Sequence, residues 1–368
     1  MKILITGAGG FIGKNLVATL QTMKDCEILE CHNSTPLEKL QKFCAECEFV
    51  FHLAGVNRPK TDDEFFTGNE KFTETLAEFL TAKNNNCPVV FTSSIQADLN
   101  NPYGKSKKSA ENILMRRGNS KIYRLPNVFG KWCRPNYNSA VATFCYNTAR
   151  GLEISVNAPE REMNLVYIDD VIEEFLRALN GNENKDGDFC FVPKTYKRTL
   201  KEIADIIQSF PKCRADLSIP NQTDELTKKL YSTYLSYLPE NNFGYNLTMH
   251  KDNRGSFSEF IRTDGQGQFS VNIVKPHITK GNHWHHSKHE KFLVILGEGV
   301  IRFRQIFSDE ILEYKVSGEK HEVIEIPPGY THSIENTGET DMAVIIWANE
   351  NFNPEIPDTY FLAVNQFE

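Results

Sequence analysis

The run from Lys2 to Gly13 restricts the fold more than any other stretch of this chain. KILITGAGGFIG is an apolar strand-like segment that ends in Gly7, Gly10 and Gly13 and leads into KNLVATL, a segment of helical period. A strand that enters a helix through glycines lets a phosphate-bearing ligand approach the helix N-terminus, where backbone N–H groups and the helix dipole favour negative charge. Such a unit also needs parallel neighbours reached by crossover helices. Short apolar runs followed by helical segments recur at CEFVFHLAG, PVVFTSS and KIYRLPNV. The N-terminal part is therefore expected to be α/β, a doubly wound parallel sheet in which Gly7, Gly10, Phe11, Ile12 and Gly13 cradle a dinucleotide.

Near NNFGYNL the pattern changes to short alternating strands, FLVILGEGVIRFRQIF, HEVIEIPPG and MAVIIWAN, separated by Gly, Pro and Asp turns. That pattern predicts an all-β second domain, so the chain of 368 residues divides into residues 1–243 and 244–368. Composition divides the same way: all nine cysteines lie at or before Cys213, and eight of the ten histidines lie in the second part. TDELTKKLYSTYLSYL reads as a final helix bridging the two domains. A net charge of -7 without a basic stripe excludes nucleic acid as a partner. No apolar run reaches the ~20 residues that span a bilayer, so no membrane association and a cytoplasmic location are expected. Cysteines without paired spacing read as reduced thiols, and Cys44 and Cys47 as helix residues rather than a redox or zinc pair.

The second strand ends in EILECHNS, placing His32, Asn33 and Ser34 where an NAD site usually has an acid for the ribose hydroxyls. With Lys14 just past the glycines, the expected cofactor is NADPH. FTSSIQA and NPYGKSKKSAE add Ser94 near a strand end, then Tyr103 and Lys107 one helical turn apart on one face. A phenol can protonate a carbonyl oxygen if its pKa is lowered, and the Lys107 ammonium is expected to do this while holding the nicotinamide ribose. Ser94 would bond the same carbonyl oxygen.

Together these motifs resemble the extended short-chain dehydrogenase/reductase family of sugar-nucleotide epimerases, dehydratases and reductases. HLAG at His52 to Gly55, RLPNVFG at Arg124 to Gly130 and LVYIDDV at Leu165 to Val171 match further motifs of that family. The resemblance implies a Rossmann-type sheet, Leu53 and Ala54 behind the cofactor, and Asn127 facing a nucleotide sugar. One departure is the short link between the second strand and CEFVFHLAG, which leaves little room for a normal third strand, so adenine contacts are not carried over.

In the second part, KGNHWHHSKHEKFLVILGEG puts His283 and His285 two apart on a strand, followed by Glu290 and Gly297. IPPGYTHSIEN brings Pro327, Gly329, His332 and Asn336. Three imidazoles and a carboxylate, His283, His285, Glu290 and His332, suit a divalent metal, with Zn the simplest choice where no redox chemistry is evident. His286, His289 and His321 fall off the ligand spacing. The two blocks resemble the two cupin motifs, although His277 replaces an upstream glycine and no glycine stands five residues before Pro327. DNRGSFSEF, KGNHWH and IPPGYTHSI further resemble the dTDP-4-keto-6-deoxyhexose 3,5-epimerase branch of the cupins. That resemblance implies substrate contacts by Arg254 and Glu259 and a catalytic base at His283. A metal-bound nitrogen cannot also remove a proton, so either His283 is the base and the metal set is smaller, or another group is the base.

Proton loss beside a ketone and hydride capture by a ketone need the same carbonyl, so one 4-keto sugar nucleotide would serve both domains. The domain order resembles enzymes of capsular polysaccharide synthesis. This implies C3 epimerisation of UDP-2-acetamido-2,6-dideoxy-β-L-arabino-hexos-4-ulose, then reduction with NADPH to UDP-2-acetamido-2,6-dideoxy-β-L-talose. The UDP, the acetamido group and the choice of C3 rest on that resemblance alone. The competing expectations are a reductase whose cupin only binds and dimerises, and a 4-epimerase or 4,6-dehydratase with tightly held NAD. A homodimer is the expected assembly.

Overall fold

The computed structural model describes residues 1–247, 250–252, 255–257, 267–350 and 355–365. They pack as two units, Met1–Ala140 with Glu162–Thr199, and Val141–Arg161 with Leu200–Glu368.

The strands of the first unit are β1 (Lys2–Thr6), β2 (Glu27–Cys31), β3 (Phe49–His52), β4 (Val89–Ser94), β5 (Ser120–Leu125), β6 (Asn127–Phe129), β7 (Glu162–Tyr167), β8 (Lys185–Asp186), β9 (Phe189–Cys190) and β10 (Tyr196–Thr199). Seven form one sheet in the order β2-β1-β3-β4-β5-β9-β8, parallel except for the β8 edge, and β10-β7-β6 form a small second sheet. From β1 the chain steps outward to β2 and then back across to β3, so the strand order reverses between β1 and β3. The carboxyl ends of strands at such a reversal open a crevice, the usual ligand site of open α/β sheets. Among the described residues no strand lies outside β2, as the short link in the sequence implied. α2 (Leu37–Glu46) leads directly from β2 to β3.

Helices cover both faces. α1 (Phe11–Leu20) packs on α7 (Ile168–Leu179). On the other face, beyond α3 (Asp63–Phe65) and a wider-wound turn over Phe66–Lys71, α4 (Phe72–Ala82) packs on α2 and on α5 (Pro102–Arg117). Strand alternation sorts the core between these layers. Leu4, Leu29, Cys31, Val50, Val89, Phe91 and Ile122 face Leu40, Leu76, Leu80, Ala110 and Leu114, while Phe51 and Tyr123 meet Phe175 of α7 with centroids 5.7 and 5.3 Å away. With both faces covered, the strands need apolar residues throughout, which is why β3 and β4 are buried along their whole length. Cys44 and Cys47 belong to this core, and none of the nine cysteines forms a disulfide.

The second unit holds α6 (Ala140–Thr148), α8 (Leu200–Ala215), α9 (Glu225–Leu235) and an all-β region. α6 and α8, read from the sequence as part of the first domain, group here with α9, which was read as a bridge between the two. Its strands are β11 (Gly244–Asn246), β12 (His250–Asp252), β13 (Gly255–Phe257), β14 (Gln268–Val274), β15 (Thr279–Trp284), β16 (Glu290–Leu296), β17 (Glu298–Gln305), β18 (Ile311–Ser317), β19 (Glu322–Ile326), β20 (Tyr330–Asn336), β21 (Met342–Ala348) and β22 (Tyr360–Phe361). Two antiparallel five-stranded sheets result, β11-β19-β16-β21-β14 and β18-β17-β20-β15-β22, beside the β12-β13 hairpin.

The first of these sheets explains the position of α9. Glu290 and Phe292 of β16 turn inward, where the Phe292 ring lies 5.9 Å from that of His332, so Lys291 and Leu293 turn outward. Lys291 is nevertheless 1% exposed, paired with Glu325 at 2.5 Å and bonded to the Tyr245 hydroxyl at 3.2 Å. Helical cover accounts for that burial: Arg214 of α8 reaches Glu325 at 3.0 Å, and α9 sets Tyr231 against His289. No helix among the described residues is long and apolar enough to cross a membrane.

Candidate active site and metal centre

The glycine loop fills the crevice at the reversal of strand order. Gly7 has φ +70°, and a Cβ there would lie 2.7 Å from the Ala54 backbone nitrogen, while a Cβ on Gly13 would lie 2.7 Å from the Ala8 carbonyl oxygen. Neither position admits a side chain, and the loop, α1 and the end of β3 close up accordingly. Leu53 and Ala54 are tied to β1 through Leu53 N to Thr6 O (3.2 Å) and Ala54 N to Thr6 Oγ1 (3.3 Å). α1 starts at Gly10 with neither a side-chain cap nor an acidic residue in its first turn, so Phe11, Ile12 and Gly13 present backbone N–H groups to the crevice.

His32 sits beside this loop, its Nδ1 3.2 Å from where a Gly9 Cβ would be, and it opens the turn that contains Asn33. Its Nε2 faces Glu30 Oε2 at 3.2 Å. The sequence reading passed over Glu30, an acid on β2 that is engaged by the histidine two residues on.

α5 is delimited by its own sequence. Asn101 accepts the Gly104 N–H at 2.7 Å, Pro102 occupies the first turn, and Gly118 ends the helix at φ +80°. The helix holds Tyr103 and Lys107 against the end of β4. The Ser94 oxygen accepts the Gln96 N–H at 3.1 Å, which frees its own proton to bond the Tyr103 phenol. Burial pushes the Tyr103 pKa up, and the Ser94 bond works against that. Lys107 is not what sets the phenol here, contrary to the expectation from spacing. Its ammonium donates to Thr92 O at 2.9 Å and lies over the Phe91 ring, and burial, partly opposed by Glu111, lowers its pKa to about 8.

Three supporting groups escaped the sequence reading. Asn69, in the wide turn before α4, accepts the Val56 N–H (2.8 Å) and donates to Val56 O (3.0 Å) and Ser106 Oγ (2.9 Å), fixing the loop after β3 to α5. His52 bridges Thr6 Oγ1 (2.7 Å) and Thr73 Oγ1 (2.8 Å), and burial, aided by Lys107, lowers its pKa to about 3. Arg124 holds Glu111, four residues beyond Lys107, through bonds of 2.9 and 2.7 Å. His52 and Arg124 open motifs already matched in the sequence, but these contacts join separate elements and no spacing announces them. Asn127 is exposed at the start of β6 and donates to Asn164 O at 3.1 Å. Arg254 and Glu259 lie outside the described residues.

The four expected metal ligands come together in the second unit. One ligand atom from each of His283, His285, Glu290 and His332 lies within 4.8 Å of the others, and this is the one such group among the described residues. His283 and His332 come from neighbouring strands of one sheet and Glu290 from the other, so the cluster lies between the sheets. Gly281 (φ +104°) and Asn282 (φ +55°) form a bulge in β15 that sets His283 directly opposite His332, with ring centroids 4.5 Å apart. Glu290 Oε2 lies 3.4 Å from His285 Nε2 and 3.6 Å from His332 Nε2, at separations too long for good hydrogen bonds. His285 Nε2 and both ring nitrogens of His332 are buried without a hydrogen-bond partner. Buried polar atoms are rarely left so, and nitrogens converging on a carboxylate fit a cation. Burial, reinforced by the neighbouring imidazoles, lowers the His283 pKa to about 3 and also lowers that of His332. Burial would raise the Glu290 pKa, but His285 and His332 prevail and hold it well below the carboxylate range. Neutral rings at His283 and His332 beside an ionised Glu290 are protonation states that a metal requires.

A parallel sheet with a glycine loop at its reversal and a Ser-Tyr-Lys set beside it defines a class. Residues 3–190 match the NAD dependent epimerase/dehydratase family, to which the chain belongs, and residues 250–360 match the polysaccharide biosynthesis C-terminal domain. The chain is 44% identical, over the full length of both proteins, to a UDP-2-acetamido-2,6-beta-L-arabino-hexul-4-ose reductase of Pseudomonas aeruginosa. Among solved structures it is similar to the capsular polysaccharide assembling protein CapF from Staphylococcus aureus, at 51% identity and TM-score 0.68, covering 99% of this chain and 100% of that one. The UDP-glucuronic acid 4-epimerase from Bacillus cereus in complex with NAD shares the fold over 58% of this chain and 85% of its own, at 19% identity and TM-score 0.51.

Proposed function

We infer that the protein is a bifunctional nucleotide-sugar enzyme. Residues 1–243 reduce a C4 ketone with NADPH, and residues 244–368, a metal-binding cupin, epimerise C3 of the same UDP-linked 4-keto sugar. The substrate proposed is UDP-2-acetamido-2,6-dideoxy-β-L-arabino-hexos-4-ulose, and the product UDP-2-acetamido-2,6-dideoxy-β-L-talose. The reading is carried by one observation: a single chain holds both a Ser94-Tyr103 pair beside buried Lys107 and a cluster of His283, His285, Glu290 and His332. The full-length similarity to a reductase of that named ketone supports the choice of substrate.

A bound nicotinamide supplies hydride, and a bound divalent metal, Zn in this reading, supplies positive charge beside a carbonyl oxygen. The rest falls to the protein. Gly7, Gly10, Phe11, Ile12 and Gly13 hold the pyrophosphate, Leu53 and Ala54 close the crevice behind it, and His32 and Asn33 face the adenosine ribose. Tyr103 gives its phenolic proton to the C4 oxygen, Ser94 turns its hydroxyl proton from the phenol to that oxygen, and Lys107 holds the nicotinamide ribose. Asn127, Arg254 and Glu259 are proposed contacts to the sugar nucleotide. His283 is assigned to the metal set because its ring stands with the other three, which leaves the base for proton removal to another group. A homodimer in the cytoplasm is the proposed working form.

Proton NMR of the keto substrate in D₂O tests both halves. Deuterium is expected at C3 without NADPH, and the reduced sugar with it. Tyr103→Phe should slow reduction by about 10²-fold or more while leaving C3 exchange intact. Reduction at the parent rate by that variant would remove the proton donor from the scheme, and a C3 proton that never exchanges would make the cupin a binding module.

A further inference from the structure

The C-terminal segment of the second unit returns across the loop that carries His285, and one residue makes most of the contact. The Asp358 carboxylate accepts N–H bonds from His286 (2.8 Å), Ser287 (2.8 Å) and Lys288 (2.7 Å), and a hydroxyl bond from Ser287 Oγ (3.1 Å). Consecutive N–H groups converging on one anion fix a loop firmly. The backbone carbonyl of the same residue faces His285 Nδ1 at 2.5 Å. A carbonyl only accepts, so Nδ1 carries a proton, and in the neutral ring Nε2 is then the lone pair. Nε2 is the atom that points at Glu290 and has no hydrogen-bond partner.

The residues that follow reinforce this attachment. Lys288 Nζ donates to Thr359 Oγ1 (3.0 Å), and Tyr360 and Phe361 pair with Trp284 and His283. Leu362 N donates to Asn282 O (2.9 Å) and Val364 N to Asn282 Oδ1 (3.1 Å), at the bulge that aims His283. Arg304, 2% exposed, donates to the carbonyls of Ala363 and Val364.

We propose that Asp358 is a positioning residue of the metal centre. Its carboxylate fixes the His286–Lys288 loop, and this holds its own carbonyl on His285 Nδ1 and locks that ring in the tautomer that binds metal through Nε2. The inference rests on reading His283, His285, Glu290 and His332 as ligands. Partners that fix a ligating imidazole in this way change metal affinity by about 10–100-fold when lost.

The test uses the full chain, stripped of metal, as wild type and as Asp358→Asn, which keeps the size but turns an amide NH₂ toward N–H donors. In ¹⁵N-histidine-labelled wild type, His285 should be the Nδ1–H tautomer, a measurement that needs no variant to fold. Zn²⁺ titration against a chromophoric chelator should show Asp358→Asn binding at least about tenfold more weakly. The visible bands of the Co²⁺ form should change as well. A residue that merely pins the C-terminus would lower the unfolding midpoint of the metal-free variant but leave Zn²⁺ affinity and Co²⁺ bands as in wild type. That result, or an Nε2–H tautomer in wild type, overturns the proposal. Wild type that takes up neither ion overturns the ligand reading itself, a distinguishable failure.

Discussion

Replacing Lys107 with methionine is expected to stabilise the protein while abolishing ketone reduction. The Lys107 side chain is 5% exposed, and burial, partly opposed by Glu111, takes its pKa from 10.5 to about 8. At 1.36 kcal/mol per pKa unit, that fall weighs about 3 kcal/mol against the folded state at neutral pH. Methionine fills a similar volume without charge and gives up the bond to Thr92 O, which contributes about 1 kcal/mol. The net gain is about 2 kcal/mol at pH 7, or roughly 4–8 °C in the midpoint of a domain of this size. The sign with pH follows from proton counting. Between about 8 and 10.5 the unfolded lysine holds a proton that the folded one has lost, so parent stability rises through that window and is penalised in full below it. The advantage of the variant is therefore greatest at pH 7 and closes toward pH 10.5. Thermal unfolding of the cofactor-free proteins at pH 7, 8, 9 and 10, with NADPH oxidation measured in parallel, provides the assay. A gap that stays constant over that range, or a variant less stable than the parent at pH 7, refutes the reasoning.

Gly13→Ala would press a methyl group onto the Ala8 carbonyl at 2.7 Å, so NADPH fluorescence titration should show dinucleotide affinity reduced at least tenfold, or about 1.4 kcal/mol. Arg124→Met would leave the Glu111 carboxylate, whose side chain is 0% exposed, without its fork of donors. Denaturant melts should show a loss of about 3–5 kcal/mol, most of it recovered in the Glu111→Leu/Arg124→Met double variant. Chelation should lower the unfolding midpoint of the second unit and stop C3 exchange, without slowing NADPH oxidation on a ketone that needs no epimerisation.

The groups that could be read from the sequence are those whose geometry is local. Gly7, Gly10 and Gly13 sit on one turn, Tyr103 and Lys107 on one helical face, and His283 and His285 two apart along one run, so spacing alone placed them. Glu290 was found in the same run as those two histidines, and His332 because it anchors a second local motif. What escaped depends on pairing between distant segments. Arg124 meets Glu111 only once β5 lies beside α5, and Asp358 reaches His286 only after the last segment folds back over β15. The bulge at Gly281 and Asn282 was hidden because its cause is register against β20. That α6 and α8 group with the second unit was hidden for a related reason. The apolar faces of α8 and α9 announce that they cover something, but only Lys291 and Leu293, facing outward from β16, show what.

Because β2 is the outermost strand, the adenosine end of a dinucleotide laid along this crevice would meet one tight bend, Glu30 to Thr35, and no further sheet. In the proposed reading, discrimination between the two nicotinamide coenzymes falls to those six adjacent codons together with Lys14. Recoding those positions alone is the smallest edit able to redirect the enzyme from one electron pool to the other.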